Sequence, residues 1–468
     1  EYEIPQLNAP LSTGWTRGSI ADYLGVPVGI PTISVNALPF RAYAMIIDEW
    51  FRSQNLQDPL NIPKTDATVQ GTNGTDYVVD VAKGGKPFKA NKFFDLFTSC
   101  LPDPQKGPDV TIGLSADVPV YASANKDIAN YLSTGNPLGT MNFMGYSPET
   151  SGPASTLNLS ADLAHNSVLY VNNDSTKGSI VFENSGQPFN NNLEANVTPS
   201  NLFADTSAVS MITINQLRQA FQVQRFYEKN ARSGSRYREL LKAHFGVNLE
   251  DSRAMIPEYL GGNRIPININ QIASSFSNST SNPLGDIGGV SITNDSHFDF
   301  QKSFTEHGIL MGVCVARYKH TYSQGLNKIW SKKDKFDYFW PTLANLGETA
   351  VLNKEIYTTG KPQDNQVFGY NEMWYEYRYL PDMCTGCMRP TKDGQDLSSW
   401  HFGDYYNTTP ALSSEWLQED PKNVDRVLAM SALDEQNATN QLFADILVSS
   451  VTTRVVPTYS IPGLIDHN

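Results

Sequence analysis

One long tract constrains this chain more than any other feature. Residues 114–208 are rich in Asn, Ser, Thr and Gly and carry only Lys126 and Lys177 as basic side chains. Dense aromatic, proline and arginine segments flank it on both sides. A structureless excursion of this length is improbable inside a folded domain. The runs VPVYASA, TLNLSA, SVLYVNN and GSIVFEN alternate partly and are bounded by Gly, Asn, Asp and Ser, which predicts short strands. The tract therefore reads as a small folded insertion, exposed on a scaffold formed by residues 1–113 and 209–468.

The scaffold shows few long helical patterns. Pro5, Pro10, Pro27, Pro31 and Pro39 exclude a long helix from the first forty residues. From Phe40, the spacing of Tyr43, Ile46, Ile47, Trp50 and Phe51 predicts an amphipathic helix. TDYVVDVAKGG predicts a strand or hairpin, and KFFDLFTSC a short aromatic helix or turn. A longer helix begins after Thr213, a candidate N-cap, with Ile214, Leu217 and Phe221 on one face. A second follows over 235–244, with Gly246 placed for a left-handed end. HGILMGVCVARYKHTY, from His307, is the clearest strand pattern in the chain. ADILVSSVTTRVVP predicts a final strand, and residues 421–432 a short capped helix. The residues alone predict a mainly β framework with long loops and a few short helices.

Charge and chemistry narrow the function. The net charge of −13 argues against non-specific nucleic-acid binding by the whole surface. Basic residues are nevertheless gathered locally. Arg218, Arg225, Lys229, Arg232, Arg236, Arg238 and Lys242 crowd the helical region. Arg317, Lys319, Lys328, Lys332, Lys333 and Lys335 interleave with Tyr318, Tyr322 and Trp330. Cations beside rings suit phosphate contact with stacking of unpaired bases. A solvated turn is the plainer account of the same residues.

No phosphate loop, dinucleotide fingerprint, HExxH or GxSxG is present, so no enzyme signature and no cofactor is indicated. Asp295, His297 and Asp299 alternate and could share a face as a cation site, although a solvated edge explains them more simply. The four cysteines make no disulfide framework. The CTGC pair Cys384 and Cys387 lacks the further ligands a zinc site needs. No apolar run reaches the roughly 18 residues of a membrane span.

Several long runs are distinctive: SVNALPFRAYAMIIDEWFRSQNLQDP, KFFDLFTSCLPDPQKGP, INQLRQAFQVQRFYEKNARSGSRYRE, ARYKHTYSQGLNKIW and the ending IPGLIDHN. Together they resemble the major capsid proteins of small single-stranded DNA phages of the microvirus family, most closely its gokushovirus-like branch. The resemblance implies an antiparallel eight-stranded jelly roll with very long insertions, whose first strand or two would lie ahead of Glu1. It implies a T=1 shell of sixty copies around a circular single-stranded genome, found in the virion and assembled in the bacterial cytoplasm. Residues 114–208 fall where that branch carries a variable threefold protrusion used in host attachment.

The implied partners are other copies, packaged DNA on the inner face, internal scaffolding and minor or pilot proteins, and a host receptor, with no membrane insertion. On this reading the DNA contacts are Arg218, Arg225, Lys229, Arg232, Arg236, Arg238, Arg317, Lys319, Lys328, Trp330, Lys332 and Lys333. Two other readings stand beside it. A carbohydrate-binding or glycan-hydrolysing β-sandwich would need a cleft with paired carboxylates. A dedicated single-stranded DNA-binding module would bind tightly as an isolated monomer.

Overall fold

Trp15 and Phe40 stack with ring centroids 6.0 Å apart, and both are almost fully buried. The first core of the chain forms around them. In the computed structural model, residues 4–110, 214–250, 255–273, 275, 287–391, 396–428 and 442–454 are described, together with short strands between 120 and 204. The chain divides into two units, residues 1–108 with 226–468, and residues 109–225. Each is treated by itself.

In the larger unit, β1 (Gln6–Asn8) lies between β2 (Ser34–Asn36), antiparallel to it, and β3 (Val69–Gln70), parallel to it. Leu7 points from β1 into the core with Trp15, Ile20, Phe40 and Val81. Helix α1 (Ile20–Tyr23) starts at Ser19, whose hydroxyl accepts from the Asp22 N–H. Helix α2 (Leu38–Ile46) carries Pro39 in its first turn, where a missing N–H costs nothing. Phe40, Ala44 and Ile47 recur at helical spacing and are buried, which explains why this stretch is helical. The helix widens into a π-turn over Ile47–Phe51 and stops at Arg52, which is extended.

The second core holds Phe97, Cys100, Val351, Ile356, Phe368 and Tyr375. Its frame is an antiparallel pair, Glu348–Leu352 with Val367–Glu372. Beside it Thr321–Tyr322 runs parallel to Gly403–Asp404. The two cores are tied through Asn91, whose side chain donates to the Phe51 carbonyl at 2.9 Å and whose backbone bridges to Gln418, two residues beyond Trp416 of the second core.

In the smaller unit the described strands nest. Val120–Ala122 pairs with Leu202–Ala204, Phe143–Met144 with Thr198–Pro199, and Leu169–Asp174 with Lys177–Asn184, all antiparallel. The tract thus leaves and returns along itself. Helix α3 (Ile214–Ser233) begins in this unit and ends in the larger one. Helix α4 (Tyr237–Phe245) follows, closed by Gly246 at φ 71°. The expected N-cap Thr213, the run TLNLSA and the end of the 421–432 helix lie outside the described residues; Lys422–Leu428 is helical.

The expected eight-stranded jelly roll is corrected by these observations. Among the described residues there are seven separate sheets of two or three strands, and none closes into a barrel. More described residues lie in helical segments than in strands. Within HGILMGVCVARYKHTY only Thr321–Tyr322 is in a strand, and His307–His320 form no regular element. Residues 442–454 form no strand. Residues 76–85 form turns and a 3-10 helix (Val81–Lys83) where a strand or hairpin was expected.

The physical reason is local competition. Side-chain acceptors capture backbone N–H groups that a ladder would need. Asp80 accepts from the Asp76 N–H, Asp364 from those of Thr359 and Gly360, and Asp396 from those of Thr391 and Ser398. Alternating apolar residues make a strand only when a neighbour supplies the other half of the ladder.

Gly84 sits at φ 77°, and a Cβ there would lie 2.6 Å from Trp15 Nε1. Gly84→Ala is therefore expected to lower the urea midpoint of the subunit through backbone strain and displacement of Trp15. Phe40→Ala should cost about 3–5 kcal/mol by leaving a cavity. A Phe40→Ala subunit with an unchanged midpoint would show that this core is not a cooperative part of the fold.

Candidate functional site

The basic residues singled out in the sequence fall into two groups with different fates. In the helical region, Arg232 pairs with Glu348 and lies 3.7 Å from Glu372. Arg236 reaches Glu49 at 3.2 Å and donates to the Asp48 carbonyl at 2.8 Å. The Arg238 guanidinium lies 4.3 Å from the centre of the Trp50 ring. These three brace the scaffold. Arg218, Arg225 and Lys229 are exposed on α3, and spacings of seven and four place them along one helical face.

The second group surrounds residues 317–340. Arg317 lies 5.6 Å from the Phe93 ring centre. Lys319 pairs with Asp382 at 2.6 Å, at the rim of an open groove of about 430 Å³ that also takes in Phe94, Arg378 and Leu380. Lys328 sits 4.3 Å from the Tyr375 ring centre. Lys332 is covered, 3.1 Å from Glu376 and 3.0 Å from the Tyr377 hydroxyl. Burial alone would lower the Lys332 pKa, but its bonds to Tyr377 and Glu376 raise it, and the same lysine pulls the Tyr377 phenol down. Lys333 and Trp330 are exposed.

Short turns set these side chains. Asn327 caps the 3-10 helix Lys328–Ser331 by accepting from the Ile329 N–H at 3.0 Å. Asp337 accepts from the N–H groups of Lys333 and Asp334 at 2.7 and 2.9 Å. Trp340 Nε1 donates back to the Lys335 carbonyl at 2.8 Å. The outcome is a fixed loop that presents Ile329, Trp330, Phe336, Tyr338, Phe339 and Trp340 to solvent.

Asp295, His297 and Asp299 do come together. His297 Nδ1 meets Asp295, and Nε2 lies 2.8 Å from Asp299. The bond to Asp295 leads the effects that raise the His297 pKa. A ring that donates from both nitrogens has no lone pair for a metal. Among the described residues, no group of three or more His, Cys, Asp or Glu side chains is arranged to hold a metal ion. In the CTGC turn, Cys384 lies 3.7 Å from His401 Nδ1, which accepts from the Gly403 N–H, while His401 Nε2 bonds the Met388 carbonyl. Those bonds tether the turn. No helix among the described residues is long and apolar enough to cross a membrane.

One cluster escaped the sequence. His320 is buried, with Nδ1 2.9 Å from Asp404 and Nε2 3.0 Å from Glu419. Both nitrogens face carboxylates, so the ring is an imidazolium. Tyr406 and Asn423 donate to Asp404, Tyr322 donates to Asp95, and Asn423 donates to Tyr318. Lys92 stands over Trp416 at 4.1 Å, its pKa lowered by burial against the pull of Asp404, Glu419, Asp95 and Asp420. Sequence separations of 84 and 99 residues from His320 to its two acids left no motif by which to find it.

Residues 1–464 match the protein family described as capsid protein (F protein). Capsid protein VP1 of Spiroplasma virus 4 is 38% identical over 468 residues, covering 98% of this chain and 79% of that protein. Capsid protein VP1 of Chlamydia phage 1 is 34% identical over 492 residues, covering 99% and 80%. Capsid protein VP1 of Bdellovibrio phage phiMH2K is 34% identical over 468 residues, covering 99% and 79%.

The His320 cluster sets a pH dependence. Burial lowers the His320 pKa, but hydrogen bonds and charge from Asp404 and Glu419 outweigh it and leave it raised to about 9, against 6.5 for a free imidazole. A raised folded-state pKa gives stability that is complete below 6.5 and lost as pH climbs through about 9. The melting temperature of the subunit should exceed that of a His320→Gln variant most at about pH 6, and the gap should narrow steadily towards about pH 9.5. A constant gap across that range would contradict the imidazolium.

Proposed function

Because this chain belongs to the bacteriophage capsid protein (F protein) family, we propose that its copies build a T=1 icosahedral shell of sixty subunits around a circular single-stranded DNA genome. The family match along almost the whole chain carries this reading. The subunit is part of the virion, and assembly takes place in the cytoplasm of the bacterial host. Internal scaffolding and minor or pilot proteins are its partners during assembly.

Residues 114–208 form the variable protrusion at the threefold axis and engage the host receptor. Two observations support a separate role for this tract: its polar composition, and antiparallel pairings that nest from Val120–Ala122 with Leu202–Ala204 inward. DNA contact falls to Arg218, Arg225 and Lys229, which lie exposed along one face of α3, whereas Arg232 and Arg236 are held by carboxylates. Such contact is directed at phosphates and weakens with salt.

Electron microscopy of the expressed chain is the direct test. Closed particles of icosahedral T=1 symmetry are expected, and only soluble subunits or irregular aggregates would refute the shell. Deletion of residues 120–200 is expected to leave particles intact and to reduce attachment to host cells by at least about tenfold, the loss of one strong contact cluster. Normal attachment by the deletion variant would remove the receptor role from the tract. Ultraviolet cross-linking of packaged DNA should recover peptides from α3, and changing Arg218, Arg225 and Lys229 together to Gln should abolish that recovery. Undiminished cross-linking would place the DNA contacts elsewhere.

A further inference from the structure

The loop 328–340 has two properties that conflict on the surface of a lone subunit. It is rigidly built, and it is strongly apolar. Trp330 is 77% exposed, Ile329 and Phe336 are each 59% exposed, and Tyr338, Phe339 and Trp340 are each about half exposed. Six large apolar side chains exposed within residues 329–340 mark a candidate interaction site. Its rigidity is visible bond by bond. Lys332 anchors the loop to Glu376 and Tyr377, the Phe339 N–H donates to the Tyr377 hydroxyl at 3.3 Å, and Phe339 packs edge-on to Trp374 with centroids 5.6 Å apart. Trp374 in turn donates to the Leu343 carbonyl at 2.9 Å. A loop backbone already braced in this way loses little entropy on binding.

We infer that this loop is a docking platform for a second copy of the same chain, with Trp330 and Phe336 as its apolar anchors. The inference rests on the capsid reading and goes beyond it by assigning one contact surface. Two observations select a protein partner over the nucleic acid that the sequence pattern of Lys328, Trp330, Lys332 and Lys333 first suggested. Three of the four lysines in the loop already have internal partners: Lys328 on Tyr375, Lys332 on Glu376 and Tyr377, and Lys335 on Phe336. Asp334 and Asp337 add negative charge that a phosphate would meet. What remains on the face is aromatic surface, the residue class that dominates protein–protein hot spots.

Charge also names the partner. Lysines held over rings or on Glu376 keep their charge, and against Asp334, Asp337 and Glu376 the four leave the loop mildly basic, while the chain as a whole has a net charge of −13. A mildly basic patch on an acidic protein finds its complement on another copy of that protein. A patch meeting a different patch on its neighbour is the heterologous contact that closes rings within an icosahedral shell.

The test uses the full chain in assembled particles. A photo-crosslinking amino acid is placed at position 330, and particles are grown from a mixture of light and heavy isotope-labelled subunits. The expected product is a capsid-protein dimer whose linked peptides carry mixed labels. Products with uniform labels only, a nuclease-sensitive DNA adduct, or an adduct to a different protein would each overturn the inference.

In parallel, Trp330→Glu with Phe336→Ser should reduce particle yield by at least about tenfold while the circular dichroism of the soluble subunit stays unchanged. Lys361→Gln, an exposed change outside the loop, should assemble normally. If the double variant assembles as well as the parent, the platform is refuted while the capsid reading stands. If the parent chain itself forms no particles, the capsid reading is what has failed.

Discussion

The buried imidazolium of His320 is the constraint around which the second half of the larger unit is arranged. Its two ring nitrogens hold Asp404 and Glu419, so three stretches of chain separated by 84 and 99 residues must meet at one point. A buried charge is tolerated only when paired and hydrogen-bonded, and leaving one partner out would be strongly destabilising. The surroundings meet that demand in detail. Asn423 and Tyr406 complete the acceptor shell of Asp404, and Arg426 donates to the carbonyls of Ser398, His401 and Gly403 that lead into it. The short parallel pairing of Thr321–Tyr322 with Gly403–Asp404 sits directly on this cluster. The polar centre thus joins segments far apart in the chain beside the apolar core of Phe97, Val351 and Phe368.

The cationic groups illustrate how a tertiary structure redistributes roles among chemically similar residues. Arg232, Arg236, Lys319 and Lys332 look alike in sequence to Arg218, Lys229 and Lys333. The first four are held by carboxylates of their own chain, and Lys332 is almost wholly covered. The other three stand on exposed positions of a helix or a turn. A basic run is therefore a poor guide to ligand contact until the acids that meet it are known, and those acids come from remote positions such as Glu49, Glu348 and Glu376.

Helices α2, α3 and α4 were legible because their evidence is local. Phe40, Ala44 and Ile47 repeat at helical spacing, and Gly246 takes the left-handed position that ends α4. The segment TDYVVDVAKGG alternates like a strand but folds into turns, because its Asp80 side chain captures a nearby N–H and its Gly84 turns the chain. The run from His307 departs from its strand pattern for a different reason. Its pattern suits a strand, yet a strand needs a partner, and pairing over that run begins only at Thr321. The jelly roll inferred from resemblance fails on the same ground, since the described strands are short and their sheets stay separate.

By itself the sequence determined the family, the polar tract, the principal helices and the positions of the charged and aromatic clusters. All of these are carried by neighbouring residues or by long distinctive runs. Only the tertiary structure decided which strands pair, which cations are already occupied, that His320 is a buried cation between two acids, and that the rings of residues 329–340 stand outward on a braced loop. Those outcomes depend on contacts between residues far apart in the chain. Hydrogen-bond satisfaction and desolvation act on the groups that finally meet, and one-dimensional spacing does not specify which groups those will be.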